Sequence, residues 1–266
     1  MARCVVAGFD GSERSLLAAG WAAREAALRG LGLRLVHAST EALSPVVDRA
    51  LSALVLHHPG LKIEGRRADG RAADVLADAG RSATLLVLGA RGLGGFPGLR
   101  LGSVALETAG RAPCPVVLVP EHGPVGDHPP EVVLGIDGRH PADEATGFAF
   151  DATRRREARL RAVHAWSLPA PHDSPWVPYG VTGEDRATWE DREVQLLRDA
   201  LRRRRTKCPA VAVTPDVRLL GAAQALVTAS ARADLLVIGR ARRCLDGVPH
   251  AVAHHACCPV ALVPYS

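Results

Sequence analysis

Residues 85–103 read LLVLGARGLGGFPGLRLGS, an apolar run that enters glycines spaced G-x2-G-x9-G-S at Gly89, Gly92 and Gly102, with a hydroxyl at Ser103. Glycine lets backbone N–H groups crowd toward an anion, because no Cβ blocks the approach. A helix beginning at Gly102 or Ser103 aims its unbonded N–H groups and its dipole at the same anion. Strand, glycine loop and helix start together read as a phosphate cradle. Three glycines at this spacing plus a hydroxyl favour that reading over a plain connecting loop.

The elements that must position this loop occur twice. Val5-Val6-Ala7-Gly8-Phe9-Asp10-Gly11 matches Val132-Val133-Leu134-Gly135-Ile136-Asp137-Gly138, and Leu33-Arg34-Leu35-Val36-His37-Ala38 matches Leu160-Arg161-Ala162-Val163-His164-Ala165. Leu85-Leu86-Val87-Leu88-Gly89 matches Leu235-Leu236-Val237-Ile238-Gly239, and the Pro115–Pro120 run matches Pro259–Pro264. The repeat is of domain size. Its offset is 127 at Asp10/Asp137, 150 at Gly89/Gly239 and 144 at Pro115/Pro259. The second copy therefore gains 23 residues between its second and fourth strands and loses six in the loop after the fourth. The domains are 1–121 and 131–266, with a linker rich in Pro, Gly and His around residues 121–130.

Each copy alternates strand and helix. In the first, strands are expected near 4–9, 33–37, 61–66, 84–88 and 115–119, and helices near 13–29, 42–57, 71–80 and 103–111. In the second, strands fall near 132–136, 159–165, 210–215, 234–238 and 259–263. Leu16, Ala19, Ala23, Ala26 and Ala27 form the expected buried stripe of the first helix. Alternation of this kind implies right-handed crossovers and a parallel sheet. Such sheets take ligands at the carboxyl ends of strands where the order reverses. With order 3-2-1-4-5, strands one and four flank that reversal, so Asp10 and Gly89 meet across one crevice.

Bulk composition narrows the class. The chain has 266 residues, 47% apolar and only 4% aromatic, so the core is mainly Val, Leu and Ala. No apolar run is long enough to span a bilayer. The N-terminus enters a strand at once and leaves no room for a signal peptide, which predicts a soluble cytoplasmic protein. The net charge of +5 is spread over both copies and demands no nucleic acid. Arg202–Arg205 reads as the solvated end of a helix. The six cysteines show no secreted framework and no CxxC, and His254-His255-Ala256-Cys257-Cys258 lacks a second ligand pair, so no metal site is expected.

A Gly-x-Asp-Gly-Ser turn after strand one, a His at the end of strand two, the G-x2-G-x9-G-S loop and Cys-Pro-Val before the last strand make the chain resemble the universal stress protein family in its tandem form. The resemblance covers nearly the whole chain. It implies two Rossmann-like α/β domains, each a five-stranded parallel sheet of order 3-2-1-4-5 flanked by helices. The family it resembles splits into ATP-binding and non-binding members, and the intact first loop points to ATP, with Mg²⁺ as a companion of the phosphates, as the bound cofactor. On the matching residues, Gly8 and Asp10 stand at the adenine end and the backbone of Ala38 at the adenine edge. Gly89, Arg91, Gly92, Gly102, Ser103 and Val104 form the phosphate and ribose segment, with Arg100 as a further cation. A carboxylate repels a triphosphate, so Asp10 faces the base; it also serves as the turn residue of Asp-Gly-Ser. His37 and His164 read as structural hydrogen bonds at strand ends. The last strands are expected to pair the two copies into a pseudo-dimer, and two chains to form a homodimer.

The second copy departs from the pattern. Arg139 replaces the turn serine, Arg242 stands at the second glycine, and Asp246-Gly247 stand where Gly102-Ser103 stood. Asp246 suits a helix cap but opposes a triphosphate. Arg240, Arg242 and Arg243 offer either an anion site of other geometry or a solvated turn. The residues around 170–183, with His172 and Trp176, read as a long loop near the second crevice. The expected function is that of an ATP-binding regulatory, stress-response protein acting on an unidentified protein partner, with nucleotide held mainly by the first domain. Alternatives are a nucleotide-independent interaction module or a slow ATPase. No Walker lysine, paired Mg²⁺ carboxylates or clear base is present, so no catalytic residue is assigned. A phosphorelay receiver lacks the acidic pair and late lysine in register.

Overall fold

The computed structural model describes residues 4–39, 45–92, 101–121, 128–168, 183–241 and 245–265. The first half runs β1 (Cys4–Gly8), α1 (Glu13–Arg29), β2 (Leu33–Ala38), α2 (Pro45–His57), β3 (Ile63–Ala68), α3 (Ala72–Ala79), β4 (Ala83–Gly89), α4 (Ser103–Arg111) and β5 (Val116–Val119). The second runs β6 (Glu131–Gly135), α5 (Asp143–Arg155), β7 (Arg159–Trp166), α6 (Gly183–Lys207), β8 (Val213–Leu219), α7 (Ala222–Ser230), β9 (Leu235–Ala241), α8 (Gly247–His255) and β10 (Val260–Tyr265). The third strand of each copy lies two or three residues later than its apolar residues suggested. Both are outer strands, so their hydrophobic pattern is weak.

The strands form one sheet in the order β3-β2-β1-β4-β5-β10-β9-β6-β7-β8, which is 3-2-1-4-5 twice. Pairing is parallel within each half. The halves join through antiparallel β5 and β10, where Val260 faces Leu118 and Leu262 faces Val116. The expected pairing of the copies through their last strands is thus present. Alternate residues of the strands feed two apolar layers that run across both halves. One layer, with Val5, Ala7, Val132 and Leu134, is covered by α1, α5 and α6; the other, with Val6, Leu86, Val133 and Leu236, by α3, α4, α7 and α8.

The buried stripe of α1 is rotated from the expected one. Ala18, Ala19, Ala22, Ala23 and Ala26 are buried, whereas Leu16 and Ala27 are exposed. Small residues let this helix lie close on the sheet, and the leucines are turned outward. Ser12 caps α1 by accepting from the Ser15 amide at 3.1 Å, and Gly30 ends it in the left-handed region at φ 63°.

Two buried polar clusters fasten the halves. Glu25 of α1 accepts from Arg29 Nε at 2.6 Å and from Arg156 of the second half. Arg29 also reaches Asp151 at 3.4 Å, and Arg155 donates to the Leu28 carbonyl at 3.0 Å. Arg240, only 1% exposed, crosses from β9 and donates to the carbonyls of Gly110 (3.3 Å) and Ala112, at the C-terminal end of α4. Cation and dipole end attract each other there. No described helix is long and apolar enough to cross a membrane.

Candidate functional site

The order 3-2-1-4-5 leaves a crevice where β1 and β4 diverge, and a cavity of about 260 Å³ opens there. Gly8 and Asp10 line it from the end of β1, and Ala38 from the end of β2. Gly89, Arg91 and Gly92 line it from the end of β4, and Gly102, Ser103 and Val104 from the start of α4. The structure therefore brings all nine expected residues to one cavity. Arg100 and the middle of the glycine loop lie outside the described residues.

Local hydrogen bonding fixes this arrangement. The Ser12 amide (3.0 Å) and hydroxyl (2.6 Å) both donate to Oδ1 of Asp10. That holds the carboxylate as the turn residue the sequence suggested. His37 donates from Nδ1 to the Phe9 carbonyl at 2.8 Å, so it ties β2 to the turn after β1, the structural role expected for it. Gly92 approaches Asp10 so closely that a Cβ there would sit 2.3 Å from Oδ2. At Gly102 a Cβ would meet only ordinary contacts, the nearest being Arg91 Cα at 3.6 Å. Steric need for glycine therefore falls on Gly92 rather than Gly102.

The Gly102 amide donates to the Ala90 carbonyl at 2.7 Å, which pins the start of α4 to the end of β4. Gly102 is the N-cap and provides no side-chain cap. The first intrahelical bond, Leu106 N to Gly102 O, is 3.0 Å. The amides of Ser103, Val104 and Ala105 precede it, have no acceptor within the helix, and belong to residues that line the cavity. Unbonded amides at a helix start, with the helix dipole behind them, favour an anion.

The equivalent crevice of the second half holds a larger cavity, about 510 Å³, lined among others by Gly135, Asp137, Ala165 and Gly239. Its phosphate end has changed. β9 does not stop at the glycine: Arg240 and Ala241 continue the strand, paired with Pro264 and Tyr265 of β10. A Cβ on Gly239 would lie 2.9 Å from the Tyr265 ring, so that ring packs over the strand end. Asp246 occupies the N-cap of α8 but makes no side-chain capping bond, contrary to expectation. Pro249 stands where Ala105 stands in the first half, and proline has no N–H to offer. Arg240 is committed to the carbonyls of the first half, so it is not a ligand for an anion in this crevice; Arg242 and Arg243 lie outside the described residues.

Sequence reasoning also missed a buried cluster here. Glu193 of α6 accepts from both terminal nitrogens of Arg139, at 2.9 Å for Nη1, and from His164 Nε2 at 2.9 Å. Nδ1 of His164 lies 3.1 Å from the Ile136 carbonyl oxygen, as His37 does on Phe9. Burial works against the charge of Glu193, but Arg139 and His164 outweigh it and hold the carboxyl below its usual range. Asp137 likewise resists burial through the Arg139 amide and His140 and stays below the usual range. The Arg139 substitution was legible; its partner, on a helix of 25 residues where the first copy has 13, was not. His254, Cys257 and their neighbours form no cluster of three metal-binding side chains among the described residues.

Fold and crevices define a pair of Rossmann-like domains fused through a shared sheet. The universal stress protein family matches the chain twice, over residues 1–120 and 130–264, and the chain belongs to that family. Universal stress protein Rv2623 of Mycobacterium tuberculosis (strain ATCC 25618 / H37Rv) is 30% identical over 262 residues, covering 88% of this chain and 85% of its own. Rv2005c of the same strain is 29% identical over 295 residues, covering 96% and 95%. Among solved structures, a universal stress protein from Archaeoglobus fulgidus DSM 4304 superposes with a TM-score of 0.63 over 99% of this chain and 96% of its own, at 14% identity. Another universal stress protein, 27% identical over 44% of this chain with a TM-score of 0.37, was solved in complex with cAMP.

Proposed function

We propose that the first half is an adenine-nucleotide site and that the chain is a regulatory, stress-response protein whose state follows ATP occupancy. The observation that carries this reading is the uncapped start of α4, its Gly102 amide pinned 2.7 Å from the Ala90 carbonyl, beside a glycine where any Cβ would displace the Asp10 carboxylate or the loop. The amides of Ser103, Val104 and Ala105 would hold phosphate oxygens, and the Ser103 hydroxyl would donate to one of them. Arg91 would add a charge-assisted contact. Asp10 and the backbone of Ala38 would recognise the base. Mg²⁺ would arrive on the phosphates, since Asp10 is the one carboxylate in the described lining.

The role is binding rather than turnover. The described lining contains no lysine and no histidine, and its carboxylate, Asp10, is held by Ser12 and assigned in this reading to the adenine base rather than to an attacking water. A homodimer and a protein partner that reads the bound state belong to the same proposal. Mass analysis of nucleotide carried through purification, followed by ATP titration of wild type and Gly92→Val, tests it. Retained adenine nucleotide and loss of binding in the variant support the reading; equal affinities in the two proteins overturn it.

A further inference from the structure

We propose that the second crevice binds a purine nucleoside or free base and rejects its phosphorylated forms. The inference goes beyond the first-half site and rests on one part of that reading, the assignment of the aspartate end to the base. At that end the second half keeps its equivalents: Gly135, Asp137 and Ala165 line the cavity at the positions of Gly8, Asp10 and Ala38. At the other end the described residues have lost parts of the anion site. Asp246 brings a carboxylate to the place of Gly102, Pro249 removes an amide, and Ala241 takes the place of Arg91 within an extended strand.

In exchange the crevice has gained flat apolar walls. Trp166 and Tyr265 line it where the first half has Ser39 and Glu121. Trp166 is 7% exposed, and its indole Nε1 is buried with no acceptor among the described residues. A buried donor without a partner is costly, and an acceptor on the edge of a heterocycle stacked on Tyr265 would satisfy it. Stacking on an aromatic ring favours any base, because every base offers a π-face. Arg139 cannot restore anion affinity, because Glu193 engages both of its terminal nitrogens. His140 pairs with Asp137 at 3.3 Å and His164 with Glu193 at 2.9 Å, so each of these cationic candidates in the described lining already faces a carboxylate.

The test uses the full chain carrying Gly92→Val, which disables the first site, with adenosine and ATP as probes and tryptophan fluorescence plus calorimetry as readouts. Adenosine should bind with a stoichiometry of one, at least about tenfold tighter than ATP. Trp166→Phe should remove the fluorescence change. Tyr265→Ala and, independently, Asp137→Asn should each weaken adenosine by about tenfold, with ATP binding to the otherwise wild-type first half unchanged. Absence of saturable adenosine binding, equal affinity for ATP, or indifference to both substitutions overturns the inference. If ATP binds the wild-type chain while adenosine fails on the Gly92→Val chain, this inference alone falls. If ATP fails on wild type, the first-half reading falls.

Discussion

Gly92 and Asp10 touch across the first crevice: the open face of the glycine lies where a Cβ would come within 2.3 Å of the carboxylate oxygen Oδ2. The end of β4 and the turn after β1 are thereby set to one separation. Any side chain at position 92 must move either the loop or the carboxylate, and both belong to the proposed nucleotide site. Gly92→Ala is expected to weaken ATP by about tenfold or more while the melting temperature changes little. Gly102→Ala, which meets only ordinary contacts, should fold equally well. Calorimetric titration of the two variants side by side measures the difference.

Glu25 is a buried carboxylate, 1% exposed, held by one arginine from each half. Its removal leaves Arg29 and Arg156 without their shared counter-ion. Glu25→Ala should cost about 3–5 kcal/mol of stability. Urea unfolding gives the value. A change under 1 kcal/mol would mean that the cluster is effectively solvated.

Arg240 spans the seam by donating to Gly110 and Ala112. Arg240→Met keeps most of the stem and removes the donors, leaving two buried carbonyls unserved. A loss of about 2–3 kcal/mol is expected, together with a broader calorimetric transition as the halves melt less cooperatively. A single sharp transition of unchanged midpoint would contradict this.

The Arg139–Glu193–His164 cluster predicts an acid-sensitive term. Glu193 is depressed in the folded protein from an ordinary value of 4.5. Its stabilisation is therefore complete above about pH 4.5 and fades as pH falls through the lower folded value. Glu193→Gln should be less stable than wild type at neutral pH, and the gap should narrow below pH 4.5. Thermal melts of both proteins across about pH 3 to 7, a window that brackets the ordinary value, measure it. A gap independent of pH would remove Glu193 as the titrating group.

Much of this molecule could be read before its fold was known, because duplication turns sequence offsets into structure. The shared Val-rich runs located the strands, and Asp10 and Gly89 were placed across one crevice by the order reversal alone. Failures came where a residue's partner is remote in sequence. The burial of Arg240 depends on carbonyls about 130 positions earlier, which no local pattern reveals. Glu193 meets His164 only because the longer α6 passes over β7. On α1, the expected stripe holds at Ala19, Ala23 and Ala26 and fails at Leu16 and Ala27, because close packing on the sheet selects Ala18 and Ala22 instead. Pro249 was visible all along; aligned with Ala105, it already marks a helix start that has lost a donor.

The antiparallel seam between β5 and β10 uses up the two buried apolar margins of the half-sheets. What remains at the far ends is β3, with Glu64, Arg66 and Arg67, and β8, with Pro215, Asp216 and Arg218. Charges and a proline make poor templates for a further strand. Growth of the ribbon by end-to-end addition of chains is therefore disfavoured at both outer edges, which leaves the helical flanks as the more favourable faces for any further association.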